Sequence, residues 1–96
     1  MAVKQVVVLH GLYMSGFVMR PLCSQLEKSG LSILNLSYNT LSPDRAAIFA
    51  QIDAFIDGKS TALVCHSMGG LVARAYLAAN SEQSQNVTKV ITLGTP

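Results

Sequence analysis

The 96 residues predict an α/β domain built on a parallel sheet of about four strands with helices on both faces. Three observations carry that expectation. Short apolar, often β-branched runs alternate with stretches whose apolar residues recur at helical spacing, glycines punctuate the junctions, and no segment repeats or is of low complexity. Alternation of this kind joins parallel strands by right-handed crossovers, and ligands then bind beyond the carboxyl ends of the strands.

The elements follow in order. Residues 6–9, Val-Val-Val-Leu, make the first strand. Val18, Met19, Leu22, Cys23 and Leu26 then form a helical stripe, with Pro21 tolerable only near the start, where N–H groups lack partners, and Gly30 as the stop. Residues 31–38 set Leu31, Ile33, Leu34 and Leu36 against Ser32, Asn35 and Ser37, which reads as a strand. Ser42, Pro43 and Asp44 read as cap, first-turn proline and first-turn acid of a second helix carrying Ile48, Phe49, Ile52, Phe55 and Ile56, ended by Gly58. Residues 61–65 are the third strand, 71–79 the third helix and 87–93 the fourth strand. With strand order second, first, third, fourth, the last strand is an edge, and Val90, Ile91 and Leu93 lack the charges and prolines that protect edges. Association through it is expected, with a second copy or with a missing C-terminal half.

Composition narrows the function. Half of the residues are hydrophobic and 12 per cent are charged, against an average of about 25 per cent, so the chain buries more surface than a free-standing domain of its size. A net charge of +2, scattered over Lys4, Arg20, Lys28, Arg45, Lys59, Arg74 and Lys89, argues against nucleic acid or an anionic membrane as partner. No apolar stretch approaches the ~18 residues of a membrane span and no leader pattern is visible, which together lead to the expectation of a cytoplasmic protein. Cys23 and Cys65 have no metal-ligand spacing and read as packed free thiols. Neither a metal nor an organic cofactor is expected.

The chemistry concentrates in residues 62–70, Ala-Leu-Val-Cys-His-Ser-Met-Gly-Gly, an apolar strand that runs into a sharp turn and then a helix. Such a turn lifts the Ser67 hydroxyl clear of both elements, and the helix N-terminus presents unpaired N–H groups to negative charge forming beside it. The turn resembles the nucleophile elbow of the α/β-hydrolase superfamily, usually Gly-x-Ser-x-Gly, with Cys65 where the first glycine stands. Upstream, residues 6–9 followed by His10-Gly11-Leu12 resemble the family's first inner strand and its His-Gly-x oxyanion loop. Residues 90–96, Val-Ile-Thr-Leu-Gly-Thr-Pro, resemble the strand after the elbow helix in small lipases and esterases. The matches span nearly the whole chain in family order, so residues 1–96 are expected to form one domain, the N-terminal portion of a partial α/β-hydrolase fold.

The resemblance implies a serine hydrolase acting on carboxylic esters, with a small-molecule ester or lipid as substrate. Ser67 would be the nucleophile, and the backbone N–H groups of Leu12 and Met68 the oxyanion donors. Tyr13, with Met14 and Phe17 in the same loop, would line the acyl pocket; for Met14 and Phe17 the alternative is packing the first helix onto the sheet. In the family the acid and the base follow later strands. Here the only histidines are His10, read as structural, and His66, whose neighbour Ser67 points elsewhere in a sharp turn; Asp44, Asp53 and Asp57 all precede Ser67. One copy therefore assembles no triad in the family arrangement. The rival readings are a capping serine in an ordinary tight turn, a truncated or degenerate module that keeps the fold without catalysis, and a binding module of flavodoxin-like topology, for which no phosphate loop is visible.

Overall fold

The computed structural model describes residues 3–11, 19–39, 42–79 and 81–93. Four strands, β1 (Gln5–Leu9), β2 (Ser32–Leu36), β3 (Thr61–His66) and β4 (Val87–Leu93), pair in parallel in the order β2-β1-β3-β4. Helices α1 (Arg20–Lys28), α2 (Arg45–Ile56) and α3 (Gly69–Ala78) connect them, and a short 3₁₀ turn, Gln83–Asn86, leads into β4. This is a partial α/β fold with the expected strand order.

Alternation along the strands sorts the core into two layers. Val7, Leu9, Leu63 and Cys65 face Ile48, Ile52 and Ile56 of α2 and Val72, Ala73 and Tyr76 of α3. Val6, Val8, Ala62 and Val64 face Met19 and, in α1, Cys23. β1 is buried along its whole length, as an apolar strand covered on both faces must be. β4 is exposed beyond Val87, because α1 covers the β2 side of its face and no helix among the described residues lies over β4 there.

Local chemistry sets the helix ends. Pro21 sits in the first turn of α1, where its missing N–H costs nothing. The start of α2 differs from the sequence expectation: its N-cap is Asp44, not Ser42. Asp44 is extended (φ −86°, ψ 91°) and its carboxylate accepts the Ala47 N–H at 3.1 Å, which leaves Pro43 ahead of the helix. Asp57 and Gly58 both take left-handed backbone (φ 41° and 77°) and end α2, with Lys59 N–H returning to the Ile56 carbonyl at 2.8 Å. The buried Gln5 amide donates to the Phe55 and Ile56 carbonyls at 2.8 and 3.1 Å, satisfying last-turn acceptors that the helix itself leaves open. No helix among the described residues is long and apolar enough to cross a membrane.

Candidate active site

Leu9 pairs with Cys65 at the carboxyl ends of β1 and β3, so the residues that follow, His10-Gly11 and His66-Ser67, emerge side by side at one edge of the sheet. Ser67 has φ +53°, a left-handed conformation that costs a residue with a Cβ about 1–2 kcal/mol. Its surroundings hold it there. The Ser67 N–H donates to the Leu93 carbonyl of β4 at 3.0 Å, and the Ser67 carbonyl accepts the Gly70 N–H at 3.0 Å. The strain falls on Ser67 and not on Cys65, which is still within β3, so a side chain is tolerated at the position where the family usually has glycine.

Two glycines let the backbones converge. A Cβ on Gly69 would run into the Leu9 carbonyl, and one on Gly11 would come within 2.9 Å of Ser67 Cβ and 3.0 Å of His66 Nδ1. Met68 is the N-cap of α3 and no side chain caps that end. The Gly70 and Leu71 N–H groups turn back onto the Ser67 and Met68 carbonyls at 3.0 and 2.9 Å, which leaves the Met68 and Gly69 N–H groups without a backbone acceptor among the described residues, and the positive end of the helix dipole lies at the turn that carries Ser67. Such an end can stabilise negative charge developing beside the serine. Leu12 and Tyr13, with Met14 and Phe17, lie outside the described residues; Gly11, directly before Leu12, is buried against the elbow.

His10 is fully buried and committed to structure, as expected. The Tyr38 N–H donates to His10 Nε2 at 3.1 Å, so that nitrogen carries the lone pair and the proton resides on Nδ1, 3.0 Å from the Gly11 carbonyl. The Tyr38 hydroxyl donates to the His10 carbonyl, and the two rings stack with centroids 4.1 Å apart. With both ring nitrogens engaged, His10 has no site for a proton from Ser67. His66 is half-buried, and its Nδ1, turned toward Gly11, has no hydrogen-bond partner among the described residues.

Four further titratable side chains are taken up by packing or hydrogen bonds. Burial pushes the Cys65 thiol up to about 11, making it a packed apolar side chain and not a second nucleophile. Burial first, and Cys65 second, push the Tyr38 hydroxyl up to about 12. Asp44 caps α2, and Asp53 accepts hydrogen bonds from the Tyr76 hydroxyl at 2.6 Å and the Ser81 hydroxyl at 2.9 Å. No group of three His, Cys, Asp or Glu side chains among the described residues is arranged to hold a metal ion.

Beside the elbow, between α2 and α3, lies a cavity of about 220 Å³ whose walls include Pro43, Arg45, Phe49, Met68, Leu71 and Val72. Sequence reasoning placed the substrate pocket at Tyr13 and did not anticipate this one. Its signal was indirect: Arg45 and Phe49 share one helical stripe, and Met68, Leu71 and Val72 another, but nothing in the sequence says that the two stripes face each other.

No curated protein sequence matches the chain. A family model described as a PGAP1-like alpha/beta domain matches residues 46–96, just over half of the chain, from the first turn of α2 through the elbow to the strand that follows it. β3, the left-handed Ser67, Gly69, α3 and β4 lie within that match while β1 and β2 precede it, and the chain belongs to the PGAP1-like alpha/beta domain family, a hydrolase-type family of the α/β-hydrolase superfamily.

Proposed function

We propose that this chain supplies the nucleophile and the oxyanion site of a serine hydrolase that cleaves carboxylic esters, small-molecule or lipid. The observation that carries the reading is the left-handed Ser67 at the β3–α3 turn, since a strained non-glycine residue persists only where its surroundings over-determine it. Ser67 Oγ attacks the ester carbonyl carbon and passes its proton to a histidine, while the carbonyl electron pair moves onto the oxygen, held by the Leu12 and Met68 N–H groups. Collapse expels the alcohol, which takes that proton and leaves an acyl-Ser67; water then repeats the sequence and releases the acid. Tyr13 borders the acyl group. His10 is committed to Tyr38 and His66 directly precedes Ser67 in the sharp turn, where neighbouring side chains point apart, so in this proposal the histidine and its acid come from outside these 96 residues.

Two further parts of the reading have their own support. Residues 1–96 act as one domain, because both core layers share a single sheet. A reducing, cytoplasmic setting agrees with two free buried thiols, Cys23 and Cys65, lying on opposite faces of that sheet where they cannot pair.

The test is labelling with a fluorophosphonate probe. Slow modification of Ser67, absent in Ser67→Ala, is expected, because loss of the base leaves only oxyanion stabilisation, roughly 10³–10⁴-fold over water in a triad enzyme. Rapid labelling that survives Ser67→Ala overturns the nucleophile assignment. The engagement of His10, Asp44 and Asp53 favours a non-catalytic module as the second reading, and labelling no faster than in the urea-unfolded chain decides for it.

A further inference from the structure

We propose that the cavity between α2 and α3 binds the anion of a short fatty acid, with the apolar chain between the helices and the carboxylate on Arg45. The binding stands by itself. Its consequence, retention of the acid product of ester cleavage at the mouth of the site, rests on the ester-hydrolase reading above.

The placement of the lining residues carries the argument. α2 precedes β3, α3 follows it, and both pack on the same face, so both helices begin at the carboxyl edge of the sheet where Ser67 lies. Arg45, the first residue of α2, and Met68, the N-cap of α3, therefore sit at the mouth. Phe49 lies about one turn deeper and Ala75 about two, each turn being about 5.4 Å. The walls below the mouth are apolar, formed by Phe49, Leu71, Val72 and Ala75. Leu71 is 46% exposed although it borders the cavity, so it contacts little of this chain. An apolar cavity of about 150 Å³ admits a benzene ring. At about 220 Å³ this one has room for a short alkyl segment.

Charge selects which alkyl compound. Among the described residues Arg45 is the one charged residue lining the cavity and no carboxylate pairs with it; its neighbour Asp44 is turned onto the Ala47 N–H as the cap of α2. A guanidinium matches a carboxylate or a phosphate with two parallel hydrogen bonds, whereas an ester or alcohol of equal length offers no charge. Cleavage converts a neutral ester into a carboxylate, so Arg45 favours product over substrate.

Binding to the full 96-residue chain, followed by calorimetric titration below the micellar range, tests this with octanoate, octyl phosphate and octanol as probes. Octanoate is expected to bind about fivefold more tightly than octanol, the scale of one partly exposed ion pair. Arg45→Gln, or salt at about 1 M, should bring octanoate down to the octanol level. Ala75→Phe, which fills the cavity, should weaken both; if that variant does not fold, the Arg45→Gln and salt arms still decide. Equal binding of octanoate and octanol, octanoate binding indifferent to Arg45→Gln, or no binding of either overturns the proposal. Octyl phosphate binding more tightly than octanoate overturns the carboxylate assignment in favour of a phosphate monoester. Octanoate binding and Ser67 labelling are read separately on the parent chain, so loss of the first with the second intact overturns this proposal alone.

Discussion

Tyr38 grips His10 with its backbone and its side chain together: the Tyr38 N–H donates to His10 Nε2 at 3.1 Å, the Tyr38 hydroxyl donates to the His10 carbonyl, and the rings stack with centroids 4.1 Å apart. The carboxyl end of β1, from which the Gly11-Leu12 segment departs, is thereby fastened to the residue just past β2. The two substitutions that break this grip should differ in size. Tyr38→Phe keeps the stack and the N–H bond and should cost about 1 kcal/mol, whereas His10→Ala leaves a cavity and an unpaired N–H and should cost about 2–4 kcal/mol. Urea unfolding of both variants measures the difference; equal and negligible losses would show that the contact fastens nothing.

Ser67 should be worth less to stability than a glycine in its place. Ser67→Gly removes about 1–2 kcal/mol of left-handed strain and adds about 0.5–1 kcal/mol of backbone entropy cost, for a net gain of about 0.5–1 kcal/mol. In a domain of this size that raises the melting temperature by about 2–8 °C. Ser67→Val, with a branched Cβ at φ +53°, should lower it. A glycine variant that melts below the parent would mean that the turn is not strained.

These relationships also mark what could be read in the sequence. The strand order was legible because β1 and β3 are unbroken apolar runs, and buried parallel strands leave few arrangements for the remaining two. The cap of α2 was not, since Ser42 and Asp44 are both good capping residues flanking a proline that suits a first turn; the extended ψ of 91° at Asp44 decides between them, and that is a backbone fact. The His10–Tyr38 grip joins residues 28 apart in sequence, and no local pattern encodes it. The cavity depends on how α2 and α3 are rotated about their axes. Leu12 and Tyr13, which motif reasoning singled out, lie outside the described residues.

Burial of thiols and phenols makes stability fall at high pH. Cys65 is pushed from 9.0 to about 11, and Tyr38 and Tyr76 from 10.0 to about 12, in each case chiefly by desolvation; Tyr76 is raised further by its hydrogen bond to Asp53. Each folded-state value is raised, so the stabilisation is complete below the ordinary value and is lost as pH climbs toward the folded one. Between those values the unfolded chain has released protons that the folded chain keeps, and the unfolding free energy declines with pH. Urea midpoints should hold up to about pH 9 and fall between about 9 and 12, and Tyr38→Phe should flatten part of that fall. At about pH 8 a thiol reagent should reach Cys23 and Cys65 only through unfolding. Fast stoichiometric modification of both in the native chain would contradict their burial.

The register of β4 gives the last prediction. Val90 pairs with Leu63 and shares the face that carries α2 and α3, while Ile91 pairs with Val64 and shares the face that carries α1. Both are more than two-fifths exposed, as is Leu93, so this edge is apolar on two faces. Lys89 is the one charge within the strand, and no proline interrupts it. Its outer row of backbone N–H and C=O groups then stands beside apolar side chains, an arrangement that favours pairing with another strand. We propose that the purified 96 residues associate through β4, whether with a second copy or with a segment that adds a strand there. Light scattering across a concentration series should show a concentration-dependent mass for the parent chain. Val90→Lys and Ile91→Lys, one on each face, should both shift it toward the monomer. A parent that stays monomeric at high concentration and does not respond to either substitution would show that β4 is not the associating edge.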